Sequence, residues 1–187
     1  MKSFLVMQLI LVATGCAPHL LKPVEQYDLS SRRALYQLNV WQLQGRVAVV
    51  AEKDSFSAAV NWQHDYANDL IELAGPFGQG RVVIKISNNR VLVRRGNQSQ
   101  VYQGNIDRII ARQLAVDLPV SGLRYWVLGL VAPQSEYRLM ENGFEQHGWQ
   151  IHYQQMERVG DEWMPRKFQI KSKLAKIKFV IDQWKLM

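Results

Sequence analysis

The chain has 187 residues, of which 48% are hydrophobic and 21% are charged, and this composition fits one domain with a sizeable core. It excludes a fibrous or largely disordered chain. The net charge is +7, and the single cysteine, Cys16, excludes a disulfide within the chain, so apolar burial must hold the core together.

The N-terminus has the pattern of a secretory signal peptide. Lys2 precedes a short apolar run, and the run ends at Ala13-Thr14-Gly15-Cys16. The run is too short to span a bilayer, which takes roughly 20 apolar residues. Small residues followed by a cysteine resemble the lipobox of bacterial lipoproteins, which implies cleavage before Cys16 and lipidation of its thiol. An incidental or buried cysteine after an ordinary signal peptide is the alternative.

This reading divides the chain into three parts. We predict a lipoprotein signal peptide over 1–15, a lipidated tether over 16–25 and one folded domain over 26–187. The lipobox resemblance also implies an outer-membrane, periplasm-facing location, because no aspartate follows Cys16. Export argues against nucleic acid as the partner of this basic chain. Acidic proteins or anionic lipid headgroups fit better.

Hydrophobic periodicity predicts a mainly β domain with helices. A short helix begins at Ser30 or Ser31, and period-two alternation then predicts strands over 41–49, 56–62, 70–74, 81–86 and 90–94. Helical spacing predicts two helices, one that is capped by Asn105 and runs to about 116, and one that is capped by Ser121 and runs to 128. Strands resume over 136–140, 144–147, 150–153, 163–171 and 174–181. This order predicts an antiparallel sheet with helices over one face.

Six tryptophans are many for a chain of this size, and most of them lie in apolar registers. They fit two interpretations. Either they fill the core, as most buried aromatic side chains do, or they form the wall of a lipid-sized apolar cavity under the helices. The sequence leaves both open.

No catalytic or metal-binding motif stands out. A Gly-x-Ser-x-Gly nucleophile motif and a P-loop are both missing from the sequence. His147 and His152 are five residues apart, which is the wrong parity to share one face of a strand. We therefore predict no catalytic residue, no metal site, no cofactor and no enzymatic activity.

The segment Gly75-Pro76-Phe77-Gly78 is the most informative internal feature. Pro76 and its flanking glycines predict a tight turn with Phe77 at its tip. Phe77 either folds back onto the sheet or stays exposed, and an exposed apolar tip indicates contact with a membrane.

Several stretches in order along the chain resemble the LolB family of outer-membrane lipoproteins. They are Gln44-Gly45-Arg46, Trp62-Gln63, Leu73 to Gly78, Leu118-Pro119-Val120, Leu123 to Leu130, Gly148-Trp149, Met164 to Lys167, and Trp184. The block from Leu118 to Leu130 is the most specific of these. The resemblance implies an incomplete antiparallel β-barrel, or curved sheet, covered by an α-helical lid that encloses an apolar cavity.

The resemblance also implies the function. A LolB-like protein accepts lipoproteins from the periplasmic carrier LolA and inserts them into the outer membrane by passing their acyl chains through the cavity. The loop Gly75, Pro76, Phe77 and Gly78 is then the membrane-insertion loop. Trp62, Trp126, Trp149 and Trp184 match the family's tryptophans and are the candidates for acyl-chain contact.

Other functions stay open at this stage. One is a generic periplasm-facing lipid-binding or envelope-assembly lipoprotein that has no carrier partner. A lipid-modifying hydrolase is a weaker third. We expect a monomer, because nothing in the sequence demands a larger assembly. Late lysines such as Lys176 and Lys178 either keep an outer face soluble or dock an acidic carrier.

Overall fold

The computed structural model describes residues 27–52, 55–114 and 118–187. The predicted signal peptide over 1–15 and the tether over 16–25, with Cys16, lie outside the described residues. The folded domain begins with a short 3₁₀ helix, Ser30–Gln37.

Six strands, two helices and five more strands follow. The first strands are β1 (Val40–Ala51), β2 (Ser55–Asp65), β3 (Asn68–Ala74), β4 (Val82–Ser87), β5 (Arg90–Arg95) and β6 (Gln98–Gln103). The helices are α1 (Ile106–Leu114) and α2 (Val120–Trp126). The last strands are β7 (Tyr137–Met140), β8 (Gly143–Gln146), β9 (Trp149–Val159), β10 (Glu162–Lys171) and β11 (Ala175–Leu186). Within the described residues, no helix is long and apolar enough to cross a membrane.

The strands form one antiparallel sheet of eleven strands in the order β6-β5-β4-β3-β2-β1-β11-β10-β9-β8-β7. Strands that follow one another pair as hairpins, and the β1–β11 pairing joins the two halves of the sheet. The edges are β6 and β7, which do not pair with each other among the described strands. The predicted incomplete antiparallel barrel is confirmed.

Two glycines allow neighbouring strands to approach closely where the sheet curves. A Cβ atom on Gly45 would lie 2.3 Å from the Val180 carbonyl oxygen, and one on Gly143 would lie 1.9 Å from the Ile151 oxygen. The register between β1 and β11 also shifts at Gly45, as expected for a bulge that bends a strand.

The two helices form a lid over the concave face of the sheet. They lie in the chain between the edge strands β6 and β7, so the connection between the edges crosses the open side of the sheet. Inward side chains of the sheet, such as Val60 and Ile84, bury against lid side chains such as Ile110 and Leu123. The predicted placement of the helices over one face is therefore confirmed.

The predicted elements differ from the structure most in the following ways. The first helix is 3₁₀, β6 was not predicted, and β9 and β11 are longer than expected. The Asn105 side chain does cap α1, accepting a hydrogen bond from the Arg108 amide at 2.9 Å. The prediction that Ser121 caps α2 is wrong, because Pro119 holds the cap position and Ser121 binds Asp107 through its amide and its hydroxyl.

Candidate functional site

An apolar cavity of about 70 Å³ lies between the sheet and the lid. Every described residue that lines it is apolar. The sheet contributes Val47, Val49, Phe56, Val60, Trp62, Ile71, Leu73, Ile84, Ile177 and Phe179, and the lid and its connection contribute Ile110, Leu114, Leu118, Val120 and Leu123. A space with such walls stays dry and accepts apolar ligands.

The cavity is small in this closed arrangement. An apolar cavity of about 150 Å³ holds one benzene molecule. The 70 Å³ present here therefore cannot take up a long acyl chain. Because one side of the wall belongs to the lid, movement of the lid away from the sheet is the direct way to enlarge it.

The four predicted tryptophans do not come together around this cavity. Trp62 lines it. Trp126 is buried at the end of α2, where its Nε1 donates to Gln146 Oε1 at 2.8 Å. Trp149 is buried in β9, and Trp184 donates to the Pro165 carbonyl at 2.9 Å. The last three are not among the described residues that line the closed cavity, so their contact with acyl chains stays a prediction.

A buried carboxylate connects the lid to the sheet. The Asp69 side chain, on β3, is fully buried, and its Oδ1 lies 2.9 Å from Trp62 Nε1 and 2.8 Å from His64 Nδ1. Its Oδ2 pairs with the guanidinium of Arg124 on α2. We call these four residues the Asp69 cluster. An ion pair of this kind gives the lid one defined position on an otherwise apolar surface.

The Asp69 cluster holds its carboxylate ionised. Burial alone would raise the pKa of Asp69, but the His64 hydrogen bond, the Arg124 charge and the Trp62 N–H together outweigh it and hold the pKa below its usual range. The Asp69 cluster was not predicted from the sequence. The available signal was an aspartate in the inward register of β3, alternating with Ile71 and Leu73, where a charge needs buried partners.

The C-terminal end of the lid is fixed to the barrel by polar contacts. The buried Gln146 amide donates to the Ala132 carbonyl at 2.9 Å and accepts from the Ala132 amide at 2.8 Å. Arg32 donates to the Leu128 and Trp163 carbonyls, at 2.6 Å each. Tyr153 donates to the Trp126 carbonyl at 2.7 Å, and burial raises the pKa of this tyrosine, which keeps its hydroxyl protonated as a donor.

The N-terminal part of the lid has fewer polar contacts with the sheet. Arg95, on β5, donates to the Gln113 side chain and carbonyl at 2.8 Å each, and both groups are exposed. The Ser121–Asp107 hydrogen bonds tie α1 to α2 instead. The two helices are therefore coupled to each other, and segment 126–132 is the hinge for any movement of the pair away from the sheet.

The Phe77 loop, which comprises Gly75 to Gly78, projects from the end of β3. Pro76–Gly78 forms a single 3₁₀ turn, closed by hydrogen bonds from the Gly75 amide to the Gln79 carbonyl (2.8 Å) and from the Gly78 amide to the Gly75 carbonyl (3.0 Å). Phe77 sits at φ 58° and ψ 22°, a strained conformation for an aromatic residue, and its exposure is 101%. Phe77 therefore does not fold back onto the sheet.

Within the described ranges, no group of three or more histidine, cysteine, aspartate and glutamate side chains is placed to hold a metal ion. The buried Asp69 side chain already has a donor on each carboxylate oxygen.

Comparison with known proteins identifies the family. The family model described as "Outer membrane lipoprotein LolB" matches residues 39–184. This chain belongs to the LolB family. The outer-membrane lipoprotein LolB of Chromohalobacter salexigens is 32% identical, with 96% of this chain and 89% of that protein covered. The LolB of Nitrosococcus oceani is 31% identical, with 98% and 96% covered.

Solved structures show the same fold at low identity. A LolA superfamily protein from Nitrosomonas europaea superposes with a TM-score of 0.53 at 9% identity, covering 85% of this chain and 91% of that one. A DUF1329 family protein from Desulfovibrio piger superposes with a TM-score of 0.55 at 7% identity, covering 86% and 91%. The open sheet with a helical lid is thus shared by proteins whose sequences have diverged widely.

Replacing the central carboxylate should loosen the lid in a pH-dependent way. We expect Asp69→Asn to lower the free energy of unfolding at pH 7 by on the order of 3 kcal/mol, because Arg124 loses its buried partner. The folded pKa of Asp69 is depressed, so its contribution is complete above about pH 4 and disappears as the pH falls through the folded pKa.

Urea unfolding at a series of pH values measures the difference. The gap between wild type and Asp69→Asn should be widest near neutrality and should shrink in acid. Asp65→Asn, an exposed aspartate four residues away, is the matched control and should change little. A gap independent of pH would show that the carboxylate charge does not stabilise the lid.

Proposed function

We propose that this chain is an outer-membrane lipoprotein, anchored through a lipidated Cys16, that accepts client lipoproteins from the periplasmic carrier LolA and inserts them into the outer membrane. The observation that supports this most directly is a wholly apolar cavity closed by a helical lid, in a chain that belongs to the LolB family. The proposal includes no covalent step.

The ligand that fits the cavity is a hydrocarbon chain. Each methylene exposed to water costs about 0.8 kcal/mol, so a lipoprotein's acyl chains need shielding between a carrier and a bilayer. A wall that offers only apolar contacts selects neither for the length of the acyl chain nor for its headgroup. It receives an acyl chain when its affinity exceeds that of the carrier, and it releases the chain to a bilayer that binds it more tightly still. No energy source is then needed.

Uptake requires the lid to move. The closed cavity is too small for an acyl chain, and the contacts of Arg124 and Arg95 are the polar contacts that an outward swing breaks. Opening of a lid on a fixed hinge is a common way to admit a ligand to a buried site. Trp126, at the hinge end of α2, would then lie next to the entering chain.

Delivery uses the loop and the tether. The exposed Phe77 ring inserts into the bilayer next to the site of release, and the lipidated Cys16 keeps the domain at the same membrane at a high effective concentration. The predicted tether over 16–25 gives the domain freedom to reach both the carrier and the bilayer.

Acceptance and delivery should separate when the Phe77 tip is changed. A complex of LolA and a client lipoprotein is mixed with this protein, and transfer of the intact client is followed first to the protein and then to liposomes. We expect Phe77→Glu to accept the client normally but to deliver it at least about tenfold more slowly, because an apolar contact of 1.5–3 kcal/mol with the bilayer is lost.

Phe77→Leu is the matched control, since it keeps an apolar tip and should deliver almost as well as wild type. Equal loss of both steps, or of neither, would contradict a membrane-inserting role for Phe77. No acceptance from LolA at all would instead favour a lipid-binding lipoprotein without a carrier, and cleavage of the client's ester bonds would indicate an enzyme.

Cross-linking the lid to the sheet should block uptake of the client lipoprotein. Arg95→Cys and Gln113→Cys place two thiols on facing positions of β5 and α1, and a bismaleimide with a cleavable disulfide in its spacer joins them. We expect the joined protein to accept no client and the reduced protein to recover. The unjoined double variant controls for the substitutions. Unchanged transfer with the lid joined would show that the lid does not open.

The anchor can be tested by mass. We expect the protein extracted from membranes to begin at Cys16 and to carry the added mass of its acyl chains. Cys16→Ser should remain at its full length and unmodified. A mature protein with an unmodified Cys16 would rule out the lipid anchor, whatever the outcome of the transfer experiments.

A further inference from the structure

A second hollow lies on the convex side of the sheet, directly beside the Phe77 loop. Its volume is about 720 Å³. Its floor is made of short side chains, Ala48, Ala59 and Ala74, and the Phe77 loop overhangs it on one side. We call this hollow the outer cleft. Val47 lines both spaces, but Arg46, Ala48 and Lys178 of the outer cleft lie on the opposite face of the strands from Val49 and Ile177, which line the cavity under the lid.

Cations line the outer cleft. Arg46 from β1, Lys178 from β11 and Arg81 after the Phe77 loop all contribute, and no described residue that lines the cleft is acidic. Arg46 lies opposite Val180, and Lys178 lies opposite Ala48, so Arg46 and Lys178 are diagonal neighbours on the same face. Like charges at such spacing repel one another, and an anion in the cleft relieves that repulsion.

The carboxylates near the outer cleft do not cancel its positive charge. Asp182 pairs with Arg46 at 3.0 Å, but both side chains are largely exposed, and exposed ion pairs contribute little free energy. Glu72 and Asp182 line a neighbouring hollow, which shares Ala59, Ala74 and Arg81 with the outer cleft, but neither carboxylate lines the cleft itself. Arg81 and Lys178 have no ion pair within the described part of the chain.

The combination of groups selects the partner. An alanine floor and an exposed phenylalanine match hydrocarbon, and three cations match a phosphate that bears negative charge. An acidic protein segment would satisfy the cations but would leave Phe77 in water. A phospholipid at a membrane surface satisfies both, since its phosphate lies just above its hydrocarbon.

We propose that the outer cleft binds the headgroup of an anionic phospholipid while Phe77 enters the bilayer. The bound headgroup fixes how deep and at what angle the Phe77 loop sits, and therefore where the domain releases its client. This inference rests on the membrane-inserting role proposed above for Phe77. It adds a lipid class and a set of residues to that role.

The test compares client delivery into vesicles of phosphatidylcholine alone with delivery into vesicles that also contain phosphatidylglycerol. The full-length lipidated protein is used throughout. One cation close to an anionic surface changes binding about fivefold, so we expect wild-type delivery to be at least about five times faster into the anionic vesicles. We call the delivery rate into anionic vesicles divided by the rate into phosphatidylcholine vesicles the lipid ratio. For Arg81→Gln/Lys178→Gln, the lipid ratio should fall towards one, with delivery into phosphatidylcholine unchanged.

A matched control variant has the same net charge as the Arg81→Gln/Lys178→Gln variant. Arg90→Gln/Lys185→Gln removes one arginine and one lysine that are exposed at the opposite end of the sheet, and it should keep the wild-type ratio. A control that loses the ratio equally would overturn the proposal in favour of diffuse charge attraction. A wild-type ratio near one, or a cleft variant that keeps the wild-type ratio, would also overturn it.

Two further readouts separate the explanations. Slower acceptance from LolA by the cleft variant, with the lipid ratio kept, would identify the occupant as an acidic protein and overturn the lipid assignment. Phe77→Glu should deliver slowly into both kinds of vesicle. Normal delivery by Phe77→Glu would contradict the membrane-inserting role of Phe77 itself. A wild-type lipid ratio near one, together with slow delivery by Phe77→Glu, would contradict only the lipid-binding role of the cleft.

Discussion

The structure depends on one constraint, which is that the concave face of the open sheet is apolar and must be covered. The strand order leaves β6 and β7 as free edges, and the two described α-helices lie between these strands in the chain, so the cover is the lid. Apolar burial has no direction, because its strength follows the area removed from water. A hydrocarbon chain can therefore replace lid side chains such as Ile110 and Leu123 against the same wall. Under the function proposed above, the interaction that holds the lid on the sheet is the same one that binds the ligand.

The polar contacts decide how the lid can leave that surface. In the lid opening proposed above, Asp69 keeps the Trp62 and His64 donors, both of which belong to the sheet. The carboxylate is therefore not left without partners, which would be the main cost of breaking a buried ion pair. Arg124 moves to water, where a guanidinium is well solvated. The segment 126–132, in contrast, is bound by Arg32, Gln146 and Tyr153, so opening there would break several buried hydrogen bonds at once. The hinge lies where the polar contacts are densest.

Local pattern was enough for most of the fold and for the exposed part of the site. Alternation located strands such as β1 and β2, and the Asn105 cap was predicted correctly. The turn around Pro76 was also predicted with Phe77 at its tip, although the sequence left open whether Phe77 would be exposed. The edge strand β6 was missed because its side chains are mostly polar and exposed, so it shows no alternation. The contacts that fix the lid were missed for another reason. Arg32 reaches Trp163 across 131 residues and Gln146 reaches Trp126 across 20, and no local pattern records such pairs. Likewise, an inward tryptophan has the same local signature whether or not the lid lies above it, so Trp62 could not be told apart from Trp184.

The cavity and the outer cleft are two faces of one set of strands. Side chains alternate along a strand, so Val47 and Phe179 face the cavity while Arg46 and Lys178, their neighbours in sequence, face the cleft. Sheets stacked face to face lie about 10 Å apart, so the two faces of one sheet are separated by about the same distance. A phospholipid held in the outer cleft would thus lie within about that distance of an acyl chain under the lid. The Phe77 loop leaves the sheet at the end of β3, where the outer cleft and the strand that carries Ile71 and Leu73 in the cavity wall meet. In the function proposed above, the strand that carries Ile71 and Leu73 ends at the loop that enters the bilayer, so this end of the sheet would offer a client's acyl chain a short path to the membrane.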